Sequence, residues 1–185
     1  MRRLAALALV PVLLAPAAPA QAADVEHTGA HWTWTGPEAW TDSQATYGID
    51  VQGTNQAVYS LGFLPLQQCT TGATWKKRVT RYFKAKRQQL ENQGVTLTNV
   101  SEIKTIGNDD YRRQTMNVST AGRHGIKGVL EIDYDYVGVD SGIDYCYSRQ
   151  EARTAKKSAY ADVKAKLAKV GRTIVYLGNG YRDGE

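Results

Sequence analysis

The sequence has 185 residues, and its 23 Lys and Arg against 18 Asp and Glu give a formal net charge of +5 at pH 7. This length fits a single domain with a core of its own, and the absence of an internal repeat excludes a solenoid or a propeller. Because the excess of positive charge is small, its distribution along the chain is more informative than its total.

The first 22 residues have the features of a secretory signal peptide. Arg2 and Arg3 precede a short apolar run that Pro11 interrupts, and small residues lead to an expected cleavage after Ala22. The run is too short and too broken for a membrane helix, which needs roughly 20 apolar residues. We therefore expect a secreted protein without a membrane span, and the Ala- and Pro-rich signal indicates a bacterial origin.

The next segment, 23–31, is polar and predicts a flexible N-terminal arm, in which His27 and His31 do not specify a metal site. The alternation of aromatic and polar residues over 31–35 predicts the first strand. Trp32 and Trp34 share one face of that strand. They are either an exposed platform for a sugar or a protein partner, or a cover for the sheet, which is the commoner role of such rings.

Two strands over 46–51 and 56–66 predict a hairpin, and Pro65 should end the second strand because proline cannot donate to a ladder. A helix is predicted over 73–93, with Thr74 as its N-cap and Gly94 as its C-terminal stop. One stripe of this helix is apolar. The rest of its surface is basic, with no acid before Glu91: Lys76, Lys77, Arg78, Arg81, Lys84, Lys86 and Arg87.

The clearest strand signal covers 130–136, where apolar or aromatic residues alternate with Glu131, Asp133 and Asp135. Together with 110–120 it predicts the central hairpin, and 95–105 predicts a further strand before it. We predict the register that pairs Arg113 with Asp133 and Met116 with Leu130. A slip by one residue would place Arg113 on the apolar face.

The chain is predicted to return as a strand over 143–147 and then to form a second helix over 150–170, which Gly171 ends. A short strand over 173–177 and a polar tail over 179–185 follow. Cys69 and Cys146 are the only cysteines, and export places them in an oxidising compartment, so we expect a disulfide. The sequence thus predicts one α+β domain over 32–178: a mainly antiparallel sheet, two amphipathic covering helices and one disulfide.

The order of elements resembles the PsbP-like fold of extrinsic photosystem proteins and their bacterial relatives. Pro37 and Trp40 form a Pro-x-x-Trp element after the first strand, and the apolar strand over 61–66 leads into an amphipathic helix. Residues 106–112 resemble the Gly-then-aromatic start of a strand in that fold, and a closing helix leads to a short strand. The resemblance implies a binding or assembly module and no enzyme, and it assigns no functional residue.

Motifs for catalysis are absent from the sequence: it has no Gly-x-Ser-x-Gly, His-Glu-x-x-His, phosphate loop or Cys-x-x-Cys. We therefore predict no catalytic residue, metal or cofactor. The alternative is a carbohydrate-active hydrolase that uses Glu131, Asp133 or Asp135, since alternate strand residues lie about 7 Å apart and suit an inverting pair. A solvated strand face that Arg113 neutralises is the simpler interpretation.

Basic residues concentrate on the two helices. If both helices pack on one face of the sheet, their outer sides form a positive surface that attracts an anionic polymer of the cell wall, although solubility alone also explains such lysines. No motif indicates sequence-specific binding of nucleic acid. We predict a secreted, monomeric binding or assembly module, with an extracellular partner or inhibitor domain that docks through Trp32 and Trp34 as a further alternative. The predicted basic surface consists of Lys77, Arg78, Arg81, Lys84, Lys157 and Lys164.

Overall fold

The computed structural model describes residues 23–69, 74–107, 111–122, 124–140 and 143–177. The predicted signal peptide and polar tail lie outside these residues. Two helices are described, α1 (Trp75–Asn92) and α2 (Tyr160–Thr173). The strands are β1 (Asp24–Thr28), β2 (Trp32–Pro37), β3 (Thr41–Ala45), β4 (Gly48–Gln52), β5 (Val58–Gln68), β6 (Val95–Thr98), β7 (Lys104–Thr105), β8 (Tyr111–Thr120), β9 (Ile126–Asp140), β10 (Ile143–Lys156) and β11 (Val175–Tyr176).

The strands form one large and one small antiparallel sheet. The large sheet has the order β3-β4-β5-β10-β9-β8-β6, with β7 also paired to β8, and the small sheet has the order β1-β2-β11. Cys69, which directly follows β5, is bonded to Cys146 in β10 with 5.4 Å between the two Cα atoms. The predicted α+β class and the predicted disulfide are both confirmed.

The central hairpin has the predicted register. Arg113 pairs with Asp133 and Met116 pairs with Leu130 across β8 and β9. The side chains of Met116 and Leu130 are buried on the same face. The strict alternation of β9 determines this register, because a shift by one residue would expose the whole apolar set.

The two helices cover opposite faces of the large sheet. Val79 and Phe83 of α1 pack in one cluster with Leu130 of β9, whereas Leu167 of α2 packs in another cluster with Leu61 of β5. Leu61 lies in register with Glu151 and, beyond it, Glu131, which is the neighbour of Leu130 along β9. Since successive strand residues point to opposite sides, Leu61 and Leu130 lie on different faces. We call these the α1 face and the α2 face.

The predicted second helix is wrong in its first half. Residues 150–156 belong to β10, and the helix begins only at Tyr160. Ala152 packs against the α1 cluster and Ala155 is buried in the α2 cluster, so these two residues do not share a stripe. β10 is hydrogen-bonded to β5 on one side and to β9 on the other, and this pairing overrides the helical propensity of the segment.

Three smaller expectations also need correction. The segment expected to be a flexible arm contains β1, which pairs with β2. β5 does not end at Pro65 but continues to Gln68, and a register shift against β10 between Cys146 and Ser148 accommodates the extra residues. α2 runs through Gly171 to Thr173. Within the described ranges, no helix has the length and apolar character needed to cross a membrane.

Candidate functional site

The outer side of α1 carries a stripe of three exposed cations. Lys77, Arg81 and Lys84 follow one another at spacings of four and three residues, which places them on the same side of a helix. This side is opposite to Val79 and Phe83, which are buried against the sheet. None of the three cations forms an ion pair with any residue that the structure describes. They therefore point freely into solvent, and we call them the α1 stripe.

Arg78 and Lys86 belong to the flank of α1 rather than to this stripe. The guanidinium carbon of Arg78 lies 6.0 Å from the ring centroid of Tyr136, and Nζ of Lys86 lies 6.0 Å from that of Tyr82. Both side chains are half-buried, and burial lowers the pKa of Lys86. Arg78, one of the predicted site residues, is thus already engaged with an aromatic ring.

Lys157 and Lys164 are exposed but lie elsewhere. Lys164 is part of α2, and Lys157 precedes that helix in a turn where its backbone N–H donates to the carbonyl of Gly125. Because α2 covers the other face of the sheet, these lysines do not join the α1 stripe. The single basic surface expected from two helices on one face is therefore not formed.

The two tryptophans proposed as a platform are core residues. Trp34 has no exposed surface; its Nε1–H donates to Oδ2 of Asp42 at 2.8 Å, and its ring stacks on His27 with 3.8 Å between centroids. Trp32 is buried as well, and its Nε1–H donates to the carbonyl of Ala45 at 3.0 Å. The hypothesis of exposed rings is wrong, because both rings close the space between the small sheet and β3.

Asp133 is at the centre of a charged cluster on the α2 face. Its side chain is fully buried, which contradicts the expectation of a solvated strand face. Arg113 Nε donates to its Oδ1 at 2.8 Å, Arg149 Nη1 donates to its Oδ2 at 2.9 Å, and the hydroxyl of Tyr111 donates to Oδ2 at 2.6 Å. The predicted neutralisation by Arg113 is confirmed. Arg149 is a second partner that the sequence pattern did not indicate.

The same arginines extend the cluster to two glutamates. Arg113 Nη2 and Arg149 Nη1 each lie 3.1 Å from Oε1 of Glu131, and Arg149 also bonds to Glu151. Arg153 lies 3.5 Å from Glu151. With three arginines and three carboxylates the cluster is balanced in charge, which is the condition for keeping such groups half-buried or buried.

These contacts shift the pKa values of Asp133, Arg113 and Tyr111. Burial alone would raise the pKa of Asp133, but the hydrogen bonds from Arg113, Tyr111 and Arg149 outweigh it and hold that pKa below its ordinary value. The bond to Asp133 raises the pKa of Arg113, and burial, together with that carboxylate, raises the pKa of Tyr111 to about 12. A glycosidase needs an accessible acid with a raised pKa, so the hydrolase hypothesis loses Asp133 as its candidate.

Glu131 and Asp135 do not restore that hypothesis. Glu131 is bonded to two arginines, and Asp135 is half-buried and pairs in register with Tyr111. No group of three or more His, Cys, Asp or Glu that could hold a metal ion occurs among the described residues. The charged cluster joins β8, β9 and β10 through ion pairs, and the α1 stripe is exposed to solvent.

No protein-family model matches the sequence, and a search of curated proteins finds no significant match. Solved structures do match. PsbP (CyanoP) of Synechocystis sp. PCC 6803 is 8% identical over 88% of this chain and 98% of its own, with a TM-score of 0.40. LpqN of Mycobacterium tuberculosis, which is involved in cell envelope biogenesis, is 12% identical over 83% and 90%, with a TM-score of 0.45.

The Ran-binding protein Mog1p of Saccharomyces cerevisiae is 11% identical over 85% of this chain and 96% of its own, with a TM-score of 0.38. The resemblance to the PsbP-like fold, which the order of elements predicted, is thus found again by comparison of structures. At these identities and scores the likeness concerns the fold alone, and it identifies no ligand.

Proposed function

We propose that this protein is a secreted binding module that holds an anionic polymer of the cell envelope against the α1 stripe. The observation that carries the proposal is the stripe itself: Lys77, Arg81 and Lys84 are exposed, unpaired and on one side of α1. Lys77 and Lys84 are seven residues apart, which corresponds to about 10 Å along a helix. Several phosphate or carboxylate groups of one chain can meet cations at this spacing.

Two further features support the location. The sequence of the first 22 residues is typical of a secretory signal, and the disulfide between Cys69 and Cys146 is stable in an oxidising compartment. A polymer is favoured over a small anion because the stripe is exposed on the outer side of a helix and lines neither of the depressions found in the described part of the chain. Its affinity must come from several weak contacts along one chain.

The charge on the opposite face provides a matched control. In one variant Lys77, Arg81 and Lys84 are replaced by Glu, and in the other the exposed Lys157, Lys164 and Lys166 are replaced by Glu. Each variant exchanges three cations for three acids, so the net charge falls by the same amount. Only the position of the change differs between them.

The experiment measures retention of the oxidised mature chain on purified wall teichoic acid at rising salt. Retention should be lost by about 0.3 M salt, because exposed charges are screened beyond a Debye length. The α1 variant should not be retained even at low salt, and the α2 variant should be retained like the wild type. Equal loss in both variants, or no retention of the wild type at low salt, would contradict the proposal.

A further inference from the structure

A trough crosses the part of the α1 face that α1 leaves uncovered. Two depressions of about 340 and 280 Å³ adjoin at Ser60 and Gly62 of β5, which line both of them, and together they make up the trough. The trough begins at β3 and the β3–β4 turn, runs across β4, β5 and β10, and ends at Leu130 of β9. Four strand spacings of about 4.8 Å make it roughly 19 Å long.

Gly62 keeps the floor of this trough open. It lies in the interior of β5, paired with Gly48 of β4 and Gln150 of β10, where glycine is a poor strand former. An added Cβ would meet nothing within 4 Å, and no positive φ requires a glycine at this position. The fold itself therefore does not explain Gly62. Close approach of a ligand to the backbone is one recurrent use of glycine inside a strand.

A row of polar groups lies beside this glycine. Ser43, Asp50 and Ser60 are paired in register across β3, β4 and β5, so their side chains share the α1 face at the spacing of neighbouring strands. None of the three makes a side-chain hydrogen bond or an ion pair with a described residue. The row thus presents hydroxyl, carboxylate and hydroxyl groups at a repeat close to the length of one sugar ring.

Two exposed side chains with apolar surfaces also line the trough. Tyr47, in the β3–β4 turn at one end of the trough, is 43% exposed, and Leu64 of β5 is 37% exposed. An aromatic ring and an aliphatic side chain of this kind cover the C–H faces of a sugar, while polar groups between them bond to its hydroxyls. Asp50 is the only charged residue that lines the described trough. Since no cation lines it, an anionic ligand would gain no ion pair there.

Other occupants fit these residues less well. An acyl chain would remove Ser43, Asp50 and Ser60 from water without giving them a partner, which is costly. An extended peptide binds by adding to a sheet edge, and β3 is the edge strand under the trough. A peptide paired there would run along β3 at one end of the trough and would leave the part over β4, β5 and β10 empty. A ligand rich in hydroxyl groups satisfies the polar row and also contacts Tyr47 and Leu64.

We propose that this trough binds a neutral oligosaccharide chain. The site is separate from the α1 stripe, and its binding does not depend on the positive charge of α1. Ser43, Asp50 and Ser60 bond to hydroxyls of the sugars, Gly62 provides the room for the rings, and Tyr47 covers one sugar face. The hydrogen bonds are solvent-accessible and few, so the affinity is modest.

The test uses the oxidised mature protein labelled with ¹⁵N in 0.5 M salt, where the α1 stripe is screened. Neutral hexasaccharides of β-1,4-glucose, α-1,4-glucose, β-1,4-N-acetylglucosamine and α-1,6-mannose are titrated separately. At least one should cause saturable shifts of amide signals that centre on Ser43, Asp50, Ser60 and Gly62. No saturable shift with any of the four sugars, or shifts centred elsewhere, would overturn the proposal.

A variant separates binding from folding. Gly62→Val fills the trough and should lower the affinity by about tenfold or more. It should leave Tm unchanged or raise it by roughly 2–4 °C, because valine favours a strand and its Cβ meets open space. Thr98→Val, at an exposed position of β6, should change neither property much. Unchanged affinity in Gly62→Val would overturn the proposal.

Failure here and failure of the proposed function can be told apart. Retention on teichoic acid at low salt, with no sugar binding in 0.5 M salt, would refute the proposed sugar site in the trough and support the proposed polymer site on the α1 stripe. Sugar binding that persists in the variant with Glu at positions 77, 81 and 84 would support a trough that acts alone.

Discussion

Arg149 Nη1 lies 2.9 Å from Oδ2 of Asp133, and it joins β10 to β9 through a carboxylate that has no exposed surface. The guanidinium also bonds to Glu131 and Glu151, so one side chain connects all three acids of the cluster. Because each acid has at least one arginine partner, removal of a single charge leaves the remaining groups unbalanced. Single substitutions in the cluster should therefore have measurable effects on stability.

Asp133→Asn should lower the free energy of unfolding by about 3 kcal/mol, since breaking a buried ion pair leaves an uncompensated charge. We expect a value at the low end of the usual range because the side chains of Arg113 and Arg149 keep 30% and 20% exposure. Urea unfolding at pH 7 measures the change. Asp50→Asn, at an exposed position of β4, is the control and should stay within about 0.5 kcal/mol of the wild type.

The loss in Asp133→Asn should disappear in acid. The pKa of Asp133 is lowered in the folded state, so its contribution is complete above the ordinary carboxyl pKa of about 3.9 and is lost as the pH falls through the folded value. The unfolding curves of wild type and variant should therefore converge below pH 4. A difference that stays constant from pH 7 to pH 3 would mean that the charge of Asp133 is not the cause.

Tyr111 should make stability depend on pH at the alkaline end. Burial and the Asp133 carboxylate raise its pKa from the ordinary value of about 10 to about 12. The folded state therefore keeps a proton that the unfolded state releases, and the contribution of Tyr111 falls as the pH rises from 10 to 12. The stability advantage of wild type over Tyr111→Phe, measured by urea unfolding, should shrink across this range; an advantage that does not change would contradict the assignment.

Trp34→Phe should affect folding and not binding. Phenylalanine cannot donate to Asp42, and it reduces the stacked contact with His27, so we expect a loss of about 2 kcal/mol in urea unfolding. Retention on teichoic acid should be unchanged at a temperature where the variant is folded. If the variant is not retained although its free energy of unfolding is unchanged, Trp34 takes part in binding and this prediction is wrong.

Reduction of the disulfide should lower the free energy of unfolding by about 4 to 5 kcal/mol on the chain-entropy model, because Cys69 and Cys146 are 77 residues apart. Guanidinium unfolding of the oxidised and reduced protein gives the difference. The double variant with Ser at both positions should resemble the reduced protein. A variant as stable as the oxidised wild type would show that the closed loop contributes little.

Local pattern was enough to predict the central hairpin. Over 130–136 every second residue is apolar, so only one register buries Met116 opposite Leu130, and the structure has that register. The basic outer side of α1 was predicted for a similar reason, since one stripe of that helix is apolar and the rest of its surface is basic. In both places short-range periodicity determines the result.

Long-range pairing explains what the pattern missed. Residues 150–156 are good helix formers, and their strand conformation depends on pairing with β9, which precedes β10 directly, and with β5, which comes from a distant part of the chain. With the strand ended at 147, Arg149 was not placed opposite Asp133, so the burial of Asp133 could not be predicted. The alternation of Arg149, Glu151, Arg153 and Ala155 is the signal that would have extended the strand.

The side of the sheet on which each helix packs was also beyond local pattern. α1 and α2 have similar amphipathic stripes, and nothing within either stripe specifies a face. The connections between the elements decide it, and they place the α1 stripe and Lys164 on opposite sides of the sheet. For this reason the six predicted basic residues separate into two groups.

β10 contributes alternate side chains to the two faces: Ser148 and Ala152 to the α1 face, Glu151 and Ala155 to the α2 face. The binding surfaces proposed here lie on the first face, and the charged cluster lies on the second. Substitutions on the two faces should therefore act additively, except where both meet in β10. The proposed binding surfaces can thus change between related chains without a change in the charged cluster. In β10 the choice of residue is limited by both faces of the sheet.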